Sequence, residues 1–152
     1  MFRLWSIVLS ANLVGTYLFA LFIYFSGTVT PAIKQNVLEI SLESVSHPFM
    51  ELFTRGIAAG FIIATLVWIL ANVENSKLAL IILLTYVISL GNFSHIIAGS
   101  VEACYLMIAN TLPIAKTLTG FYLPTFMGNV TGGSALVAFL AYGQIHQERK
   151  GA

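Results

Sequence analysis

The sequence predicts an all-α integral membrane protein with about four transmembrane units, the third of them a broken helix. Three observations lead there. Hydrophobic residues make up 58% of the chain and charged residues 9%, against roughly a quarter charged in an ordinary soluble domain. Apolar stretches of about 20 residues recur, the length that crosses ~30 Å of hydrocarbon. One of them is too long for a single straight crossing and too short for two. No soluble domain is left over, because the longest polar connection is 26–52, and residues 1–152 read as a single transmembrane domain. The net charge of +1 gives nucleic acid no basic face. Cys104 is the only cysteine, which excludes an intrachain disulfide and a cysteine metal site.

The first unit is 4–25, "LWSIVLSANLVGTYLFALFIYF". Arg3 gives it the basic start of a signal peptide. Its length, Asn12 at its centre and the lack of a following small-x-small site favour a span instead. The loop after it opens with turn residues and then places Ile33, Val37, Ile40 and Ser44 at helical spacing, which predicts a short interfacial helix. The second unit, roughly 53–72, is opened by Arg55-Gly56 and closed by Trp68, a usual interfacial anchor. A polar turn, "NVENSK", leads to the third unit. The fourth is roughly 118–143, and the tail "HQERKGA" is aqueous.

The third unit, 78–109, is apolar except for "GNFSHIIAGSVEACY", which places His95 and Glu102 where lipid tolerates neither. As one helix it would be about 48 Å long at 1.5 Å per residue, well beyond the hydrocarbon core. Two half-helices, broken near Gly91-Asn92 or near Gly99-Ser100, resolve the length. Irregular backbone at membrane depth is tolerated where it is buried in protein or lines a cavity. Half-helix N-termini at such breaks turn free N–H groups and partial positive charge toward anions.

Basic residues set the orientation. With both termini in the cytoplasm, Arg3, Lys77, Arg149 and Lys150 lie inside and Lys34, Arg55 and Lys116 outside, a small margin for the positive-inside rule. The first and fourth units also echo each other: "NLVGT" begins at Asn12 and "NVTGG" at Asn129, a separation of 117. Asn12, Gly15, Gly128, Asn129, Gly132 and Gly133 are therefore candidates for close helix packing, with Gly128 to Gly132 a G-x-x-x-G. The echo also fits a structural repeat with three helices per repeat, which inverts successive repeats in the membrane. On that reading the first repeat begins before Met1, and the chain is the C-terminal two-thirds of something longer.

"FSHIIAGSVEACYL" with "LPTFMGNVTGGSALVA" downstream, and "LWSIVLSANLVGT" and "FTRGIAAGF" upstream, resemble the formate/nitrite transporter family, most of all its YfdC-like branch. The motifs cover nearly the whole chain in order. The resemblance implies an aquaporin-like inverted-repeat bundle of six helices, with helices two and five broken, assembled as a pentamer with one pore per subunit. The four units match helices three to six, so the fold is incomplete and lacks the first two helices. The resemblance further implies a bacterial inner-membrane transporter of small monovalent anions in contact with lipid, and no cofactor. His95 matches the histidine that faces the family's otherwise apolar pore. Apolar constrictions fall on Ile63 and Ile88, and Asn92, Phe93, Ser94, Gly99 and Ser100 around the break are candidates to line the path.

An imidazole titrates near pH 6.5, so it can pass a proton to an anion. A neutral acid crosses an apolar constriction at far lower cost than its anion. The competing reading of His95 is a structural hydrogen bond between helices. Glu102 lies two turns further on and is a candidate second titratable group, with a packing role or a place at the pore mouth as the alternative. Two positions depart from the family pattern: Gly60 stands where an asparagine is usual, and Ser94 where an acid often precedes the histidine. Both leave the identity of the anion open. A haem anchor would need a second histidine within the bilayer, and His47 and His146 lie outside it. No nucleophile–base pair or metal cluster suggests an enzyme. The remaining alternative is a non-transporting fragment or a split-half assembly partner of such a transporter.

Overall fold

A computed structural model describes residues 2–136 together with 138 and 142. The far end of the fourth unit and the tail carrying His146, Arg149 and Lys150 lie outside the described residues. In chain order the elements are α1 (Phe2–Phe25), α2 (Pro31–Val45), α3 (Phe49–Asn72), α4 (Lys77–Leu90), α5 (Ile96–Ile108) and α6 (Ile114–Thr117). A π-helical turn (Leu118–Tyr122), α7 (Leu123–Val130) and a second π-helical turn (Thr131–Leu136) complete them. Every regular element among the described residues is thus helical. Among the described residues, two helices are each long and apolar enough to cross a membrane alone, Arg3–Phe25 and Phe49–Asn72. The third unit is broken: α4 and α5 have 14 and 13 residues, about 20 Å each, so neither spans the core by itself. The break occupies residues 91–95. Gly99 and Ser100, the other expected position, lie inside α5.

The chain forms two compact units, Met1–Phe49 with Ile96–Leu123, and Met50–His95 with Pro124–Ala152. In the first unit α5 packs against both α1 and α2. Ala20, Cys104 and Tyr105 form the centre, flanked by Ile23, Tyr24, Val37, Leu38, Met107 and Ile108. The ring of Tyr105 meets that of Tyr24 edge-on with centroids 5.8 Å apart, and its hydroxyl donates to the Lys34 carbonyl at 3.1 Å. The Lys34 ammonium donates in turn to the Tyr24 carbonyl at 2.6 Å, closing off the end of α1. α2 starts where the sequence places every starting signal: Pro31 is its first residue, and the Thr30 hydroxyl accepts from the Ile33 N–H, meeting a donor the helix cannot. Its protein-facing side is not centred on the apolar stripe that marks it as an interfacial helix. Ile33 and Ile40 are exposed, while Val37, Leu38, Ser41 and Val45 turn inward. The face is rotated about a quarter turn at 3.6 residues per turn, because α5 engages the side of α2 that carries Lys34.

In the second unit α3 and α7 approach through glycines. A Cβ on Gly128 would meet the Phe53 carbonyl oxygen, and one on Gly132 the Ile57 carbonyl oxygen. From the other side, a Cβ on Gly56 would lie 3.0 Å from the Thr125 carbonyl oxygen, and one on Gly60 would sit 2.7 Å from the Asn129 Cα. Gly56-x-x-x-Gly60 thus faces Gly128-x-x-x-Gly132 with backbone against backbone. The fourth unit begins at Ile114, earlier than the hydrophobic run suggested. It widens to a π turn where the Leu123 N–H reaches the Leu118 carbonyl. Pro124 supplies no N–H and its ring crowds the preceding turn, so a wider turn accommodates it.

Candidate functional site

The site is built from the 91–95 break outward. α4 ends in a Schellman motif: the Phe93 N–H reaches back to the Ile88 carbonyl at 3.0 Å and the Asn92 N–H to the Ser89 carbonyl at 3.0 Å. The residue in the left-handed conformation is Asn92, with φ 49°, and not Gly91, which stays right-handed at φ −79°. Asparagine tolerates that conformation better than most L-residues. α5 ends the same way with Asn110 at φ 53°; the Thr111 N–H reaches the Leu106 carbonyl at 2.9 Å.

Turning the chain out of a helix strands backbone carbonyls, and in a membrane each one without a donor is costly. Two side chains answer this in the second unit. The Arg55 guanidinium donates through Nη1 to the Asn92 carbonyl at 2.9 Å. Asn129 Nδ2 donates to the Ser94 carbonyl at 2.8 Å and to the Gly56 carbonyl at 3.0 Å. Arg55 is itself held on α3, donating from Nε at 3.0 Å and Nη2 at 2.6 Å to Oε1 of Glu51. Its charge is therefore paired, as an ionisable group in a membrane segment requires. His95, half-buried, ends this fastened stretch and immediately precedes the first turn of α5.

The structure brings Asn92, Ser94, Asn129 and the backbone of Gly56 together around the break. Phe93 is half-buried with its ring over Gly91, Ile88 is buried in the last turn of α4, and Ile63 is half-buried on α3. Gly99 and Ser100 sit inside the first unit: Gly99 lies beneath the Phe121 ring, and the fully buried Ser100 hydroxyl donates to the Ile96 carbonyl. Glu102 is half-buried in the same unit. Gly60, the position of the missing asparagine, has no room for a side chain while the Asn129 backbone lies so close.

The two echo motifs have different surroundings. Asn129 bridges two carbonyls and its glycines meet α3. Asn12 is exposed and donates at 2.8 Å to the Val8 carbonyl of its own helix, and a Cβ on Gly15 would meet nothing within 4 Å. With Thr16, Phe19 and Val101 these residues border an open hollow of about 390 Å³. Sequence reasoning did not single out Arg55 with Glu51 as the clasp on the break. Their spacing of one helical turn was the available signal, since it reads as an ion pair on one helix face.

Comparison with known proteins adds ancestry to this geometry. Residues 1–143 match a protein family described as formate/nitrite transporter. The inner membrane protein YfdC of Escherichia coli (strain K12) is 33% identical over 146 residues, which is 96% of this chain and 47% of that protein. The uncharacterized transporter YwcJ of Bacillus subtilis (strain 168) is 27% identical, covering 91% of this chain and 56% of its own length. A formate-nitrite transporter of Plasmodium malariae is 26% identical, covering 90% and 47%. The chain spans about half the length of the curated relatives it matches.

Proposed function

The chain belongs to the formate/nitrite transporter family and is an integral membrane protein, and on that premise we propose that the complete protein carries a small monovalent anion, or its conjugate acid, across a bacterial inner membrane. His95 exchanges the proton. The observation that carries this reading is the fastened break: a membrane segment interrupted at 91–95, its carbonyls met by Arg55 and Asn129, with an imidazole at its end. A helix interrupted and then secured in this way presents a fixed polar point in an otherwise apolar path. A titratable group there neutralises the anion for passage through apolar rings, for which Ile63 and Ile88 are the candidates. Glu102 is a second group for relay or for the mouth of the path. Both termini lie in the cytoplasm, the subunits form a pentamer, and the remaining helices of the inverted-repeat bundle complete each pore.

The test is anion flux into vesicles carrying the complete protein, measured from pH 5 to 8, which brackets the unperturbed imidazole pKa of about 6.5. His95→Asn keeps a hydrogen-bonding group and loses titration, so its flux is expected to vary little with pH. His95→Phe keeps the volume and is expected to abolish proton-linked flux while the fold survives. A His95→Asn profile that overlays the wild-type curve sinks the mechanism.

A second reading, a split-half partner that works only in assembly, draws on the exposure of α1. Only 11% of its apolar window is buried within the chain. On that reading this chain alone gives no flux in vesicles, and adding the complementary helices restores it.

A further inference from the structure

We propose that Arg55, anchored by Glu51, is the positioning residue of the 91–95 break: it fixes the loop through the Asn92 carbonyl and so sets where His95 stands. The proposal rests on the transport reading above for what His95 does, but not for the clasp itself.

Three nitrogens of one guanidinium are committed. Nε and Nη2 hold the Glu51 carboxylate, and Nη1 holds the Asn92 carbonyl at 2.9 Å. The planar fork makes both attachments at once in a fixed geometry, which a lysine ammonium on its flexible stem does not. The point of attachment matters. Asn92 is the left-handed residue of the break, at φ 49°, and the direction of its carbonyl fixes the peptide plane that leads into Phe93, Ser94 and His95. A hydrogen bond there holds the exit path of the chain as well as meeting an acceptor.

The two fasteners have different characters. Asn129 is a neutral amide that ties Ser94 to α3 through Gly56. Arg55 is charged, and its side chain is 25% exposed, so its hold depends on the carboxylate that orients it. Glu51, 40% exposed, lies one turn before it on α3. With that partner removed, the guanidinium is free to swing toward water and release the loop, because a long basic side chain readily follows its hydrated head. The pair is thus an orienting device: Glu51 aims Arg55, Arg55 holds Asn92, and the carbonyl of Asn92 directs the stretch that ends in His95.

The experiment uses the complete protein in vesicles with Cys104→Ser and a reporter, Ser94→Cys. Loop mobility is read as the rate of labelling by a membrane-permeant maleimide, and transport as the pH profile of formate flux. Arg55→Gln is expected to raise the labelling rate about tenfold, the factor that loss of one charge-assisted hydrogen bond places on a local opening equilibrium. Glu51→Gln shifts it in the same direction, and Arg55→Lys, which keeps the charge, restores it in part. The flux profile of Arg55→Gln moves its midpoint, whereas a purely structural loss would lower its height alone. Labelling rates equal to wild type in Arg55→Gln overturn the clasp. Faster labelling with an unmoved flux midpoint overturns the link to His95. If wild type itself shows no pH-dependent flux, the transport reading fails, and the labelling series still decides whether Arg55 holds the loop.

Discussion

At the scale of single residues, the break shows how asparagine can do what glycine suggests. The sequence points to Gly91-Asn92 or to Gly99-Ser100 as the break; Asn92 adopts the left-handed turn, while Gly91 keeps a right-handed φ. Length requires a break in this unit but chooses neither between the two glycine pairs nor between glycine and asparagine within one, since both types tolerate the required φ. Replacement of Asn92 separates the two roles. Asn92→Gly is expected to leave stability nearly unchanged, while Asn92→Val costs about 1–2 kcal/mol, the penalty of a left-handed conformation for a β-branched residue that lacks asparagine's tolerance of it. Chemical denaturation in detergent measures both, and equal stability of the two variants would show that the turn does not need this conformation. Asn129 is a sharper case. Asn129→Leu leaves the Ser94 and Gly56 carbonyls without this donor, at about 1–3 kcal/mol for each acceptor that stays buried. A melting point matching wild type would mean water or another side chain takes its place. The echo motif singled out Asn129 but not its partners, because both are backbone carbonyls and carry no side-chain signature.

At the scale of elements, what was legible depended on whether a pattern had one owner or two. The broken third unit followed from length alone, since neither one helix nor two fit 78–109. The start of α2 was written in Thr30-Pro31. The Gly128-x-x-x-Gly132 face was visible as a packing motif, but its counterpart Gly56-x-x-x-Gly60 lay partly hidden in a position noted for a missing asparagine. Pairing of the two faces emerges only when α7 lies against α3. The stripe that marks α2 as an interfacial helix is not its protein-facing side: the exposed Ile33 and Ile40 are as apolar as the inward Val37 and Leu38, and in a membrane the hydrophobic stripe need not be the protein-facing one. The glycine faces give the strongest element-scale test. Gly132→Leu places a branched side chain where even a Cβ meets the Ile57 carbonyl. It is expected to cost at least the 1–3 kcal/mol typical of overpacking, seen as a lower melting temperature and loss of folded protein on size exclusion. An unaltered melting temperature would show that α7 can stand away from α3 without consequence.

At the scale of the whole molecule, the decisive contrast lies between two copies of one motif. Asn129 and Gly132 in the second unit meet α3, whereas Asn12 and Gly15 in the first border an open hollow and touch no neighbour through the glycine. A polar side chain midway along a span is costly facing lipid, so an exposed Asn12 bonded only to its own helix at Val8 is an arrangement that a partner helix would improve. The second unit supplies the form such a partner takes: a helix with small residues one turn apart, presenting a carbonyl to the asparagine as Gly56 does to Asn129. The chain spans about half the length of its curated relatives, and a covering helix of that form in the complete protein is the expectation put to test. This yields a prediction that depends on context. In the 152-residue chain, Gly15→Leu points into open space and is expected to change stability by no more than about 0.5 kcal/mol, as surface substitutions do. In the complete protein the same substitution should be as damaging as Gly132→Leu, at least about 1–3 kcal/mol, because the covering helix would have to withdraw. Thermal melting of both proteins in the same detergent makes the comparison. A Gly15→Leu variant that is harmless in both would mean that the face of α1 is left to lipid, and that the echo between the two spans reflects sequence alone.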